Sequence, residues 1–174
     1  MKGRQIMSIA EFEHVSAERF IMDAKKHLGL DENAAVAAYE RIGLPRRATK
    51  GSAGYDFYAP VDIELKAGES ILIPTSIRAR IDAGWVLLLF PRSGLGFKYR
   101  FQLDNSVGVI DQDYYGADNE GHIMAKMTND SREGRTLEIK AGQAFMQGVF
   151  VPFGTAAEEE VTMERSGGMG STTG

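Results

Sequence analysis

Residues 108 to 116 read GVIDQDYYG, with Asp111 and Asp113 one residue apart between a β-branched pair and two tyrosines. A carboxylate is ionised at neutral pH and, held beside a water molecule, serves as a general base. In an extended strand, residues at i and i+2 share a face, so on spacing alone the two acids form an apparent catalytic pair and neither is preferred. Three other glycine-marked segments carry complementary groups. GSAGYDFYA contains Asp56, PRSGLGFK contains Arg92, Ser93 and Gly94, and RSGGMGST contains Arg165, Gly167, Gly168, Met169, Gly170 and Ser171. Each alone reads as an ordinary turn. Together they offer guanidinium groups, hydroxyls and closely approachable backbone amides, which are the groups that bind polyphosphate. Phosphates repel bare aspartates, so Asp111 or Asp56 beside such a ligand implies a divalent cation between them. Mg²⁺ is the expected ion, because it prefers oxygen ligands and keeps several waters while bridging phosphates.

The elements that must position these residues are mostly strands. SILIPTSIRARI places Ile71, Ile73, Ile77, Ala79 and Ile81 on odd positions, a period of two that predicts a strand with one buried face. WVLLLF is apolar throughout and predicts a strand covered on both faces, while HIMAKMTN alternates again. In LEIKAGQAFMQGVFVPF, Leu137, Ile139, Phe145, Val149, Val151 and Phe153 share odd parity with one polar residue, Gln147. Many short strands joined by glycine turns, without βαβ alternation, predict a closed or sandwiched antiparallel fold. The echo between LKAGESILIP and IKAGQAFMQGVFVP reads as a reused hairpin solution rather than a duplication. Before the strands, Ser16 can cap an amphipathic helix in which Phe20, Ala24 and Leu28 recur, with Gly29 and Asp31 ending it. Three regions follow: a helical extension over 1–33, a β core over 34–157 and a glycine-rich arm over 158–174.

The 174 residues suffice for one domain with a real core. A net charge of -4 argues against a surface that tracks nucleic acid, which needs clustered Lys and Arg, but leaves room for a free nucleotide. The absence of cysteine excludes disulfides, thiolate metal sites and a cysteine nucleophile. His14, His27 and His122 lack the spacing of a zinc site and read as packing or surface residues. No apolar stretch approaches the roughly 20 residues that span a bilayer. A soluble protein of the cytoplasm, or of the host cytoplasm if phage-encoded, is expected, without nucleic-acid or membrane partners.

Five segments in this order, 53–59, 91–98, 104–116, 142–149 and 165–172, resemble the five motifs of the trimeric deoxyuridine triphosphatases (dUTPases). The resemblance spans roughly residues 38 to 174, with PRSGLG and GVIDQDY its most specific parts. It implies an all-β, jelly-roll-like fold of the β-clip type, a homotrimer with active sites shared between subunits, and a C-terminal arm that closes over the substrate. The implied reaction converts dUTP to dUMP and pyrophosphate with Mg²⁺, keeping uracil out of DNA and supplying dUMP for thymidylate synthesis.

Carried over residue by residue, Asp111 matches the aspartate that orients the water attacking the α-phosphorus. Asn105 and the backbone of Gly108, Val109 and Ile110 match the hairpin that pairs with uracil. Tyr114 matches the tyrosine that packs on deoxyribose and blocks a 2′-hydroxyl, and Asp113 is expected to brace it by hydrogen bonding within the hairpin. Arg92, Ser93 and Gly94 match the phosphate-contacting second motif, Gln147 the phosphate-side glutamine of the fourth, and Asp56 an aspartate near metal-bound waters. In the fifth motif, Arg165, Met169, Gly170 and Ser171 are the expected contacts. The chain departs from the family pattern in three places. Met169 stands where a phenylalanine usually stacks on uracil, Arg165 is one residue closer to the glycines, and the turn after the tyrosines is longer, so either Gly116 or Gly121 matches the family's glycine. Two rival readings stand beside this one. One is a dCTP deaminase-like enzyme, which requires a glutamate near the base. The other is a dUTP-sensing protein that binds a protein partner through the N-terminal helix or the 116–121 insert.

Overall fold

The computed structural model describes residues 8–157 and Gly167. Arg165, Met169, Gly170 and Ser171 therefore lie outside the described residues. The chain opens with β1 (Ala10–His14), α1 (Ala17–Leu28) and α2 (Glu32–Arg41), and continues with β2 (Arg46–Arg47), β3 (Tyr55–Tyr58), β4 (Ile63–Leu65), β5 (Ser70–Pro74) and β6 (Ile77–Ile81). Then come β7 (Trp85–Pro91), α3 (Ser93–Tyr99), β8 (Phe101–Leu103), β9 (Gly108–Ile110), a 3₁₀ turn (Gln112–Gly116), β10 (Met124–Asn129), β11 (Leu137–Ile139) and β12 (Ala144–Pro152). All pairings between these strands are antiparallel. They form a five-stranded sheet β2-β3-β12-β7-β9, a three-stranded sheet β5-β10-β8, and the pairs β1-β6 and β11-β4. The predominance of short strands wrapped around a core of Phe57, Phe101, Phe145, Ile73, Leu87 and Leu89 agrees with the jelly-roll-like, all-β class that the family resemblance implies.

The helix α1 begins and ends as its sequence predicts. The Ser16 hydroxyl oxygen accepts the Arg19 N–H at 3.1 Å, Gly29 closes the helix at φ 66°, and Phe20 and Ala24 are buried. Asp31 does more than stop that helix, because its carboxylate accepts the Ala34 N–H at 2.8 Å and caps α2. The alanine-rich run after it is a strong helix former and buries Ala35 and Ala38, so helix runs on past residue 33. The β1 strand precedes both helices and pairs with β6, from Ala10↔Ile81 to His14↔Ile77.

The run SILIPTSIRARI is two strands rather than one. Ser76 takes φ 67° between β5 and β6, yet Ile73, Ile77, Ala79 and Ile81 are all buried. Within β7, Leu87 and Leu89 are buried while Leu88 and Phe90 are half-buried, so this chain fully covers one face of a strand whose sequence predicts two. In β12 a register shift between Ala144 and Met146 buries Ala144, Phe145 and Met146 in succession. The parity rule fails beyond it: Val149 and Val151 are half-buried and Phe153 is exposed.

Candidate active site

GVIDQDYYG does not form one extended strand. β9 ends at Ile110, Asp111 flanks the 3₁₀ turn at φ -74° and ψ 159°, and Asp113 lies inside that turn. The two acids therefore occupy different backbone settings, and the i, i+2 pairing that an extended strand would impose does not arise. β9 runs beside β7 with Gly108 opposite Leu89. A Cβ on Gly108 would stand 3.0 Å from the Leu89 side chain, tighter than ordinary contact, so the close approach favours glycine.

This arrangement builds a cavity of 570 Å³ lined by Asn105, Gly108, Val109, Ile110, Asp111 and Tyr114. Met124 and Lys126 from β10 and Leu72 from β5 complete one wall. The signal in the sequence was parity: Met124 and Lys126 alternate with the buried Ala125 and Met127, so they share the opposite face of β10. Lys126 lies 3.0 Å from Asp104. The Thr128 hydroxyl donates to Asp104 and, against the effect of burial and with help from Lys126, holds its carboxyl below the usual aspartate range.

Tyr114 is buried although it lines the cavity. Its hydroxyl donates to the His122 carbonyl at 2.8 Å and accepts from the Asn119 amide at 2.8 Å. With the polar end tied into the protein, the ring is left as a wall of fixed position. The turn behind it requires glycine at one place. Gly121 has φ 67°, and a Cβ there would meet the Tyr114 carbonyl at 2.7 Å and the Tyr115 Cα at 2.8 Å, whereas a Cβ on Gly116 would meet nothing within 4 Å. Gly121 is therefore the conformationally constrained member of the pair the sequence left open.

A second group of candidates gathers where β3, β7 and β12 meet. The register sets Gln147 opposite Asp56 on β3 and opposite Phe90 on β7. The Gln147 amide nitrogen donates to the Pro91 carbonyl at 3.3 Å. Its oxygen lies 2.6 Å from where a Cβ on Gly54 would be, so a side chain at 54 would displace the amide end of the glutamine. Arg92 follows β7, flanks α3 and places its Nε 3.4 Å from the Asp56 carboxylate. Ser93 and Gly94 follow, both exposed. None of Asp56, Arg92, Ser93, Gly94 or Gln147 lines the 570 Å³ cavity. The chain thus presents a mixed cavity, whose apolar wall also carries Asp104, Asp111 and Lys126, and a separate polar cluster whose cation, Arg92, is paired with Asp56. No three His, Asp or Glu side chains among the described residues come together as a metal-binding group.

Residues 40–173 match the family model for dUTPase. The deoxyuridine 5′-triphosphate nucleotidohydrolase of Lactococcus lactis is 45% identical over 134 residues, covering 75% of this chain and 88% of that protein. The crystal structure of the Streptococcus mutans dUTPase superposes with a TM-score of 0.61 at 38% identity, covering 83% of this chain and 97% of the other. A point mutant of the dUTPase from phage phi11 of Staphylococcus aureus, whose structure reveals the coordination of a structural Mg(II) ion, superposes with a TM-score of 0.58 at 25% identity, covering 71% of this chain and 92% of that one.

Proposed function

The chain belongs to the dUTPase family, and from that premise we propose how its own residues hydrolyse dUTP to dUMP and pyrophosphate. The observation that carries the reading is the single cavity shared by Asn105, Gly108 to Asp111 and Tyr114. The hairpin amides and Asn105 pair with the edge of uracil, and by the family resemblance the same hairpin excludes the thymine methyl. A base with a different donor and acceptor pattern would leave buried polar groups unpaired, a stronger rejection than a missing methylene gives. Tyr114 forms the wall against deoxyribose that excludes a 2′-hydroxyl. Asp111, an exposed residue of the cavity lining, accepts the proton of the water that attacks the α-phosphorus.

The cluster of Arg92, Ser93 and Gln147 binds the phosphates and neutralises charge that develops on the leaving pyrophosphate. Mg²⁺ fits this donor set as an ion carried by the substrate: it keeps most of its waters and needs one or two carboxylates, so a protein cage is not required. Asp56 is the carboxylate that would contact its water shell, and the ion would supply charge neutralisation of the triphosphate. The separation of cavity and cationic cluster supports a homotrimer in which one subunit supplies the base side and another the phosphate side. Phe97, 90% exposed on α3, and Val109, 57% exposed on β9, are apolar surface that such an assembly can cover. Arg165, Met169, Gly170 and Ser171 complete the site as its lid in this reading.

Among the described residues no glutamate lines the cavity, which favours dUTP hydrolysis over dCTP deamination. Pyrophosphate and ammonia release from dUTP, dCTP, dTTP and UTP with Mg²⁺ is the direct test. Pyrophosphate from dUTP alone is expected; ammonia from dCTP would overturn the reading.

A further inference from the structure

Residues 10–28 precede the stretch matched by the family model, yet they hold the segment behind Tyr114 at three points. Glu13 on β1 accepts from the Tyr115 hydroxyl at 2.8 Å. Glu120 accepts from both the backbone N–H and the hydroxyl of Ser16, each at 2.7 Å. Asp23 on α1 lies 2.7 Å from His122 Nδ1, both side chains being buried.

The third contact reaches furthest toward the cavity. His122 Nε2 lies 2.9 Å from the Ser76 backbone N–H, and since an amide can only donate, Nε2 is the bare nitrogen. The proton must then sit on Nδ1 and point at Asp23, so the imidazole is pinned on both sides in one tautomer. The carbonyl of this same residue accepts the Tyr114 hydroxyl, and the Asn119 amide binds both that hydroxyl and, at 3.3 Å, the carbonyl. A continuous path of hydrogen bonds therefore runs from α1 through the His122 ring and backbone to the tyrosine that walls the cavity. An apolar pair would fill this space at less desolvation cost, so the polar path implies a positional requirement.

We propose that Asp23 and His122 are positioning residues for the sugar side of the site, so that the N-terminal helix sets how strictly the enzyme separates deoxyribonucleotides from ribonucleotides. The proposal rests on the reading that the cavity takes deoxyuridine. Asp23 touches no substrate; it acts through His122 and Tyr114.

The test compares Asp23→Ala, Asp23→Asn and Asp31→Ala in the full chain, measuring Tm and the kcat and KM for dUTP and UTP. Asp23→Ala should lower the dUTP to UTP ratio of kcat/KM about tenfold, the effect of one positioning hydrogen bond, through KM rather than kcat for dUTP. Asparagine at 23 can still accept from His122 and should restore the ratio. Asp31→Ala removes the α2 cap without touching the path, and should lower Tm while keeping the wild-type ratio. A wild-type ratio in folded Asp23→Ala, or an equal loss in Asp31→Ala, overturns the proposal. If Asp23→Ala does not fold, Asp23→Glu keeps the charge but displaces the imidazole by a methylene; an unchanged ratio there overturns it equally. Wild-type protein that hydrolyses dUTP and UTP alike defeats the cavity assignment itself, and the brace with it.

Discussion

Ile110 is the last residue of β9 and Gln112 the first of the 3₁₀ turn, so Asp111 falls between the two elements while Asp113 falls inside the turn. The acid beside the strand lines the cavity, while the acid two residues later lies in the 3₁₀ turn and does not. Asp111→Asn should keep nucleotide binding and lower kcat by about 10² to 10⁴, the usual contribution of a positioned general base, as measured by pyrophosphate release and by equilibrium binding of dUTP. Retention of kcat within a few-fold would move the role elsewhere. The motif itself was legible in the sequence, because residue types at fixed spacing survive any fold. The special status of Gly121 was not, since it arises from a positive φ and the approach of the Tyr114 carbonyl, both products of tertiary structure. Gly121→Ala should therefore destabilise the protein by about 1 to 3 kcal/mol, whereas Gly116→Ala should be close to neutral, a contrast that paired thermal denaturation will show.

At the scale of elements, β1 and α1 are joined to the turn after β9 by charged groups whose protonation the fold opposes. The Tyr115 hydroxyl, outweighing burial and aided by Arg80 and Arg78, holds the Glu13 carboxyl below the usual glutamate range. Burial pushes Glu120 up, but the Ser16 amide and hydroxyl more than offset it. A carboxyl with a lower pKa folded than unfolded adds stability above its unfolded pKa and loses it as the pH falls through the folded value. Acid should thus loosen the N-terminal elements, and Tyr115→Phe, which removes the leading stabiliser of ionised Glu13, should move the acid-unfolding midpoint to higher pH. A midpoint unmoved from wild type would show that Glu13 does not couple to the fold. The helix α1 was readable from its cap, its period and its terminal glycine. Its partner α2 was obscured because aspartate both follows helices and starts them, and only the 2.8 Å bond to Ala34 decides which role Asp31 takes.

Across the whole molecule, the sequence-level pattern succeeded where one chain satisfies its own packing and fell short where packing is non-local. The alternation in β10 matches its burial, but β12 breaks parity at a register shift that its composition does not announce. The apolar run of β7 predicts two covered faces, and one chain fully covers only one. That shortfall and the separation of the 570 Å³ cavity from the Arg92, Asp56 and Gln147 cluster would both follow from the shared trimeric site proposed above. If the cavity of one subunit works with the cationic cluster of the next, Asp111→Asn and Arg92→Ala damage different halves of a site and must complement each other. Each variant alone should be nearly inactive. In randomly reassembled trimers, sites pairing an intact cavity with an intact cluster number about a quarter of the total, so mixing and refolding should recover about a quarter of wild-type turnover. Mixing without subunit exchange should recover none. If the co-refolded mixture stays as inactive as its components while forming trimers, both halves of each site come from one chain and the shared arrangement is excluded.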